Sequence, residues 1–274
     1  FFNSHSDFFE EICKYRAARR IWSRRLKERY NAQSEKSMKL RFHTQTAGFS
    51  LTAQQPEINI ARTSFQALAA VLGGTQSLHT NSMDETLALP SEKAAEIALR
   101  TQQILAYETG VANVVDPLGG SYFIEELTNQ IEDKANIYFD YIDEIGGVIK
   151  GIELGYFQRE IADSASIYNN KIENKERFIV GVNNFVKEDE TIDIPILEIT
   201  DKVQAEQIDE LKKIKNARNN KLVEEKLNKI TQASKSDTNL MPLIIDAALE
   251  YATLGEIVDS MKLVFGEWKE DAII

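Results

Sequence analysis

Apolar and polar residues alternate along this chain with the periods of helices and short strands. Near the amino end, five apolar residues repeat about every four positions and predict one buried helix face: Phe8, Ile12, Ala18, Trp22 and Leu26. The preceding Phe1-Phe-Asn-Ser runs straight into this helical pattern, and Asn3 or Ser6 is the expected cap. An opening of this kind is typical of the middle of a fold and fits a truncated or split gene product.

The next segments predict strands and helices in regular order. Strands are predicted at residues 39–44 and 75–79, and a helix is predicted between them at residues 60–72. Gly73-Gly74 ends that helix, because glycine adopts the left-handed cap conformation at little cost. A second helix starts at Pro90-Ser91-Glu92, with Ser91 as its cap, and runs to about Tyr107. This order with short connections indicates parallel βα units.

The polar residues that follow the strands favour one βα architecture over another. Neither G-x-G-x-x-G nor G-x-x-x-x-G-K-[ST] occurs, so the glycine-rich turn of an open nucleotide-binding sheet is missing. Polar side chains at the ends of several strands are typical of the C-terminal face of a (β/α)8 TIM barrel. We therefore predict an α/β fold, with a partial TIM barrel at residues 1–160 and a mainly helical extension at residues 161–274.

Composition limits the classes of function. The net charge of −11 argues against a nucleic-acid partner, and the basic run from Arg16 to Arg29 is interpreted as a solvated helix face answered by acids elsewhere. The single cysteine, Cys13, excludes a disulfide framework and a cysteine-based zinc site. No apolar run approaches the roughly 18 residues of a membrane span. A cytoplasmic protein is the resulting expectation.

Candidate chemistry lies on the two predicted strands. His43 and Gln45 are two residues apart, so their side chains point to the same face. By the same period, Ser77 shares a face with His79, whereas Gln76 points the other way. Amide and neutral imidazole groups each offer a donor and an acceptor, which suits carbonyls, amides and ribose hydroxyls.

Beyond the second strand, Asn81 and Glu85 are free to turn toward the mouth of the predicted barrel, at the carboxyl ends of its strands. A metal site is not predicted, because no carboxylate has ligand spacing to His43 or His79. The segment from Asp116 to Gly120 is interpreted as a turn.

Longer motifs resemble a known family. Arg41-Phe-His-Thr-Gln-Thr-Ala-Gly48 is similar to the penultimate barrel strand of the methylmalonyl-CoA mutase large subunit, and Gly73-Gly-Thr-Gln-Ser-Leu-His-Thr-Asn81 resembles its final strand and loop. Asp116-Pro-Leu-Gly-Gly-Ser-Tyr122 continues the match. The resemblance spans nearly the whole chain.

The resemblance implies an adenosylcobalamin-dependent radical rearrangement of an acyl-CoA, an isomerase reaction of the intramolecular transferase type. It implies that the CoA chain threads the barrel axis and that the corrin lies over the C-terminal ends of the strands. Carried over by motif, the roles are catalytic for His43 and Gln45, substrate-binding for Lys36, Gln76 and Ser77, and cofactor-binding for Asn81, Glu85 and Thr86.

Two parts of the family pattern have no match in this sequence. They are the barrel strands that would precede Phe1 and the cobalamin-binding domain with its D-x-H-x-x-G motif. We therefore expect contact with the corrin face only, and a requirement for an N-terminal barrel half and a cobalamin-binding domain or subunit. We expect the chain to be inactive alone and to form a hetero- or homo-oligomer, without nucleic acid or membrane.

The expected reaction is methylmalonyl-CoA to succinyl-CoA, and isobutyryl-CoA and ethylmalonyl-CoA are the alternative substrates. A non-catalytic scaffold fragment is the alternative of a different class. The amphipathic tail at residues 202–234 is either a subunit-contact helix or a helix that packs on its own barrel.

Overall fold

The computed structural model describes residues 1–192 and 194–270. The chain divides into two compact units, one of Phe1–Leu197 and one that begins at Glu198. The division proposed from sequence, between residues 160 and 161, lies within the first unit, and it stays a prediction about functional regions. Within the described residues, no helix is both long enough and apolar enough to cross a membrane.

The first unit is built on a small parallel sheet with the strand order β1-β2-β3. Its strands are β1 (Phe2–Ser4), β2 (His43–Thr46) and β3 (Ser77–His79). Its helices are α1 (Phe8–Glu28), α2 (Glu35–Met38), α3 (Asn59–Leu72), α4 (Glu92–Tyr107), α5 (Tyr122–Glu144), α6 (Val148–Glu153) and α7 (Tyr156–Glu173). The predicted α/β class is confirmed. In the described part of the chain the sheet ends at β1 and β3, so a complete barrel stays a prediction.

The amino-terminal prediction was wrong in two respects. Residues 2–4 form a strand that pairs with β2, and α1 begins only at Phe8. The cap is Asp7, whose side chain accepts a hydrogen bond from the Glu10 N–H at 3.3 Å. Neither Asn3 nor Ser6 has that role. A strand of three residues is too short to show a period of two, so only its partner strand reveals it.

The other elements agree more closely with the sequence. β2 begins at His43, four residues later than predicted, and residues 39–42 connect it to α2. Helix α3 and the Ser91-capped α4 are confirmed, and Gly74 has a φ of 84° just after α3. Each strand is followed by a helix, so the described chain contains one more βα unit than the sequence predicted.

Helices cover one face of the sheet. On that face Ser4, Thr44 and Thr46 are fully buried. Nearby, Tyr15 of α1, Phe42 and Ala70 of α3 form an apolar cluster, against which further side chains pack: Phe2, Leu40 and Leu78. Since side chains alternate along a strand, the opposite face carries the residues between these positions.

The basic run on α1 packs against α5, so its interpretation as a solvated face was wrong. The Arg16 side chain is only 11% exposed and binds Asp116 and Glu125, the latter at 2.6 Å. The buried carboxylate of Glu132 forms an ion pair with Arg20 at 2.8 Å and accepts a hydrogen bond from Arg24. Farther along, ion pairs join Arg25 to Asp140 and Arg29 to Asp143. The expectation that acids elsewhere answer the basic run was correct.

The segment from Asp116 to Gly120 is a turn, as predicted. It places Asp116 beside Arg16, and Gly120 donates its N–H to Glu125 at 2.8 Å. The turn thus fixes the start of α5 against α1.

The second unit is helical, with α8 (Asp201–Ala217), α9 (Asn220–Ala233), α10 (Met241–Leu249) and α11 (Leu254–Phe265). Its core contains Ile230, Ala247 and Ile257. The predicted tail at residues 202–234 is broken between α8 and α9, where Asn219 caps the second helix. The adjacent Arg218 forms an ion pair with Glu256 at 2.6 Å and helps to hold the pKa of that carboxyl well below its usual range.

The α1–α5 contact yields a stability prediction. Glu132→Ala removes a charge-assisted hydrogen bond from Arg24 and an ion pair with Arg20, so we expect the free energy of unfolding to fall by about 2 kcal/mol. Glu126→Ala on the exposed side of α5 is the matched control and should change it by less than about 0.5 kcal/mol. Urea unfolding measures both variants, and equal stability of the two would contradict the proposed contribution of Glu132.

Candidate functional site

The sheet face away from α1 and α3 carries polar side chains in two rows. We call it the open face, and it consists of Asn3, His43, Gln45, Ser77 and His79. The strand register pairs His43 with Ser77 and, one step nearer the carboxyl ends, Asn3 with Gln45 and Gln45 with His79. Ser77, His79 and Asn3 are exposed, and His43 and Gln45 are half-buried.

The first row consists of His43 and Ser77, and two contacts orient the His43 ring. Its Nδ1 lies 2.6 Å from the Ser77 Oγ, which is hydrogen-bonding distance. The Phe1 ring on the other side meets the imidazole edge-on, with 5.4 Å between ring centroids. Residues of all three strand segments therefore orient this ring.

Gln45 occupies the second row, between two polar neighbours. Asn3 and His79 flank it by register, and the three side chains point to the same face. All three are neutral hydrogen-bonding groups when His79 is unprotonated. The sequence paired Gln45 with His43 and Ser77 with His79, and both pairings on one face are confirmed by the register.

Gln76 and Lys36 lie apart from this pair of rows. Gln76 precedes the amino end of β3, where its side-chain amide accepts from the Phe42 N–H at 2.8 Å and donates to the Gly74 carbonyl at 2.6 Å. Lys36 is exposed on α2, before the amino end of β2. Gln76 therefore lies apart from the open face, as its alternation with Ser77 predicts, and its substrate-binding role stays a prediction.

Asn81 closes the loop after β3. The Asn81 Oδ1 accepts a hydrogen bond from the Thr46 hydroxyl at 2.8 Å. The Asn81 backbone N–H donates to the Thr46 hydroxyl oxygen at 2.9 Å. The side chain is buried, and its Nδ2 has no hydrogen-bond partner within the described residues. A Cβ on Gly48 would approach this Nδ2 to 2.7 Å and the Glu85 Oε1 to 3.3 Å. Asn81 and Glu85 thus meet at Gly48, while Glu85 and the neighbouring Thr86 are exposed.

Two buried amides of α3, which the sequence reasoning missed, hold the loops beyond the strands. Gln66 accepts from the Ala47 N–H at 3.1 Å and donates to the Ser50 hydroxyl at 2.7 Å. Asn59 donates to the Thr52 carbonyl at 2.8 Å and to the Met83 carbonyl at 3.0 Å. Buried amides of this kind need such partners. Their signal in the sequence is an amide placed on the apolar face of a helix.

The third histidine, His5, was also missed. It follows β1, and its ring packs against Phe49 and Tyr168 with centroid separations of 4.8 and 6.3 Å. Burial lowers the pKa of its imidazole, and the positive charge of Arg177 lowers it further. Neutral imidazole is therefore favoured at this position.

A mainly apolar cavity of about 810 Å³ adjoins these aromatic rings. It lies between the loop after β2 and helices α5 and α7, and its lining includes Phe49, Tyr138, Ile161 and Tyr168. None of the predicted site residues lines it. In the described residues, no three His, Cys, Asp or Glu side chains gather where they could hold a metal ion.

Comparison with known proteins gives consistent matches. The methylmalonyl-CoA mutase family profile matches residues 1–267. The 2-hydroxyisobutanoyl-CoA mutase large subunit of Aquincola tertiaricarbonis is 43% identical over the whole chain. Methylmalonyl-CoA mutase of Escherichia coli (strain K12) is 43% identical over 98% of the chain, and the mitochondrial methylmalonyl-CoA mutase of Homo sapiens is 42% identical over 96%.

The chain spans only part of each of these relatives. It covers 49% of the Aquincola subunit, 37% of the Escherichia coli protein and 35% of the human protein.

The contact at Gly48 yields a prediction. Gly48→Ala forces Asn81 or Glu85 to move, so we expect the free energy of unfolding to fall by about 2 kcal/mol. Gly255→Ala is the control, since a Cβ there meets nothing within 4 Å and alanine favours its helix. Urea unfolding of both variants is the measurement, and an unchanged stability of Gly48→Ala would contradict this packing.

Proposed function

The chain belongs to the methylmalonyl-CoA mutase family, and we propose that it supplies part of the active site of an acyl-CoA mutase. The single observation that carries this proposal is the open face, where two rows of hydrogen-bonding side chains lie across a parallel sheet. Such groups suit the carbonyl, amide and hydroxyl groups of an acyl-CoA. The proposed reaction is the carbon-skeleton isomerisation of methylmalonyl-CoA to succinyl-CoA.

A second candidate substrate follows from the comparisons. The relative that matches the whole chain is named for 2-hydroxyisobutanoyl-CoA, so a branched acyl-CoA of that kind is the alternative. Isobutyryl-CoA and ethylmalonyl-CoA remain in the same class. The four candidate substrates, including methylmalonyl-CoA, share the CoA moiety. The residues proposed to bind that moiety are therefore the same for each substrate.

The proposed site residues are spread along the strand direction. Lys36 and Gln76 lie at the amino ends of β2 and β3, His43 and Ser77 lie at the first residue of each strand, and Gln45 lies nearer the carboxyl end. An extended acyl-CoA that runs parallel to the strands would pass these positions in turn. Lys36 would then pair with a CoA phosphate, while Gln45 and His43 orient the acyl group.

The residues beyond the strands fit an adenosylcobalamin cofactor. The Nδ2 of Asn81 is a donor without a partner in the described part of the chain, and the exposed Glu85 carboxylate accepts hydrogen bonds from hydroxyl groups. We propose that these two residues and Thr86 contact the ribose or the corrin edge. When bound, the cofactor supplies the radical chemistry of the isomerisation.

This chain's own residues would position and shield the reacting groups. Gln45 offers an N–H donor and a carbonyl acceptor at fixed positions, because the strand register and the loop anchored by Gln66 hold its backbone. The Gln45 amide does not titrate near pH 7, so it orients a bound acyl group without exchanging a proton with it.

Exposed strand edges and apolar surfaces support a requirement for partners. Within the described residues, β1 and β3 each have one unpaired edge, which is a template for another strand. We propose that an N-terminal barrel half pairs with these edges and that a cobalamin-binding domain or subunit covers their carboxyl ends. The name "large subunit" of the Aquincola relative supports a multi-subunit assembly. The chain alone would then be inactive.

A cytoplasmic location stays our prediction. The matched relatives include both bacterial and mitochondrial proteins, so they do not decide the compartment. The alternative of a non-catalytic scaffold would leave the open face without a ligand.

The direct test is assembly with an N-terminal barrel half and a cobalamin-binding partner. We expect isomerisation of methylmalonyl-CoA, or of one alternative acyl-CoA, only when adenosylcobalamin is added. Mass spectrometry of the CoA products measures it. A folded complex that isomerises none of the four acyl-CoA substrates would overturn the enzyme proposal and favour a scaffold.

Within that complex, Gln45→Ala should lower turnover by about a hundredfold, because it removes a positioned hydrogen-bonding group from the open face. Its free energy of unfolding should change by less than about 0.5 kcal/mol. Gln54→Ala in an exposed loop is the matched control and should retain full turnover. Equal losses of folded protein and turnover in Gln45→Ala would assign Gln45 a structural role.

A further inference from the structure

The side-chain amide of Gln66 engages both backbone polar groups of Ala47, the first residue after β2. Gln66 is 1% exposed on α3, and its Oε1 accepts a hydrogen bond from the Ala47 N–H at 3.1 Å. Its Nε2 donates to the Ser50 Oγ at 2.7 Å, and the Ser50 hydroxyl donates in turn to the Ala47 carbonyl at 2.6 Å. Gln66, Ser50 and Ala47 therefore form a closed ring of hydrogen bonds at the carboxyl end of β2.

The chemistry of the partners fixes the direction of each bond in this ring. A backbone N–H only donates, so the Gln66 atom that faces Ala47 is the amide oxygen. The Ser50 hydrogen is used for the Ala47 carbonyl, so Ser50 accepts from the Gln66 amide N–H. The bond between Gln66 and Ala47 is buried, so water does not replace either partner.

The same residue joins β2 to β1. The Ser4 Oγ donates to the Gln66 backbone carbonyl at 2.7 Å, and the Gln66 Nε2 also donates to the Ser6 Oγ at 3.2 Å. The Ala47 N–H is shared with the Ser4 carbonyl, which lies at 2.8 Å. β1 contains only three residues, and a ladder of that length needs support from other elements. We call the hydrogen bonds of Gln66 with Ala47, Ser50, Ser4 and Ser6 the Gln66 clamp.

We propose that Gln66 is a positioning residue whose clamp fixes the end of β2 and thereby holds Gln45 beside Asn3 of β1. Gln45 lies two residues before Ala47 and pairs with Asn3 in the register. A shift of the strand ends would move both side chains relative to a bound acyl group, and a misplacement of about 1 Å can cost a reaction about a hundredfold. The effect on the reaction rests on the proposed function, whereas the clamp itself does not.

Amide hydrogen exchange of the 274-residue chain tests the clamp. Gln66→Met keeps the approximate size of the side chain and removes its hydrogen bonds. We expect residues 45–50 to exchange at least about tenfold faster in this variant, because the turn after β2 loses its anchor, while residues 77–79 of β3 keep their rates. Unchanged exchange at residues 45–50, in a Gln66→Met chain that circular dichroism shows to be folded, would overturn the proposal.

Gln66→Glu tests the direction of the bonds. A carboxylate accepts from Ala47 but has no hydrogen for Ser50, whereas the protonated acid supplies both groups. Burial raises the pKa of such a carboxyl, so the folded state of this variant binds the proton more tightly than the unfolded state. Its loss of stability relative to wild type should therefore shrink as the pH falls from about 8 to about 5.

Urea unfolding at each pH measures this recovery. Gln54→Glu in an exposed loop is the control, and its difference from wild type should not change with pH. A loss of stability in Gln66→Glu that is the same at both pH values would contradict the clamp. If Gln66→Met does not fold, the exchange of Gln66→Glu relative to wild type at each pH replaces it, and equal exchange at residues 45–50 at the higher pH overturns the proposal.

Steady-state kinetics of the assembled mutase test the positioning role. Lys36 and Gln76, which are proposed to meet the CoA moiety, lie at the amino ends of the strands, away from the clamp. Gln66→Met should therefore lower kcat about tenfold and change the KM for the acyl-CoA by less than about twofold. Glu132→Ala is the control, because it weakens the α1–α5 contact without touching the clamp, and its turnover per folded chain should equal that of wild type.

The outcomes separate this inference from the proposed function. Wild-type turnover per folded chain in Gln66→Met would overturn the positioning role, and so would a rise in KM as large as the fall in kcat. An assembly that is inactive with the wild-type chain refutes the proposed function, and hydrogen exchange then decides whether Gln66 fixes the end of β2.

Discussion

The parallel register of β1, β2 and β3 decides which side chains enter the core and which reach the open face. A slip of one residue would turn every side chain of a strand to the opposite face. Thr44 and Thr46 would then leave the core, and His43 and Gln45 would be buried under α3. The fold and the candidate site therefore share one determinant, and the apolar cluster around Tyr15 and Phe42 stabilises both.

Contacts outside the sheet fix its surroundings. The arginines of α1 hold α5 through the buried Glu132, and the amides of Gln66 and Asn59 hold the loops beyond the strands. Glu132, Gln66 and Asn59 are buried and hydrogen-bonded, so loss of a partner leaves a buried polar group unsatisfied. The positions of Asn81 and Glu85 follow from those loops, because their meeting point at Gly48 lies directly after β2.

The sequence predicted the elements whose signals are local. Helices α3 and α4 have clear periods and caps, and the alternation in β2 and β3 placed His43 with Gln45 and Ser77 with His79. It missed β1, because three residues cannot show a period, and it assigned the wrong environment to the basic face of α1, because the acids that pair with it lie about a hundred residues away. The hydrogen bond between Gln76 and Phe42 was not predictable for a similar reason, since Phe42 belongs to another segment.

We propose that the open face of this sheet binds an acyl-CoA in the assembled enzyme. Amide hydrogen exchange of the chain within that assembly, with and without methylmalonyl-CoA, tests it most directly. We expect residues 43–46 and 77–79 to exchange more slowly when the acyl-CoA is bound. Bound ligand with unchanged exchange in both strands, and protection only around the cavity beside Phe49 and Tyr168, would contradict it.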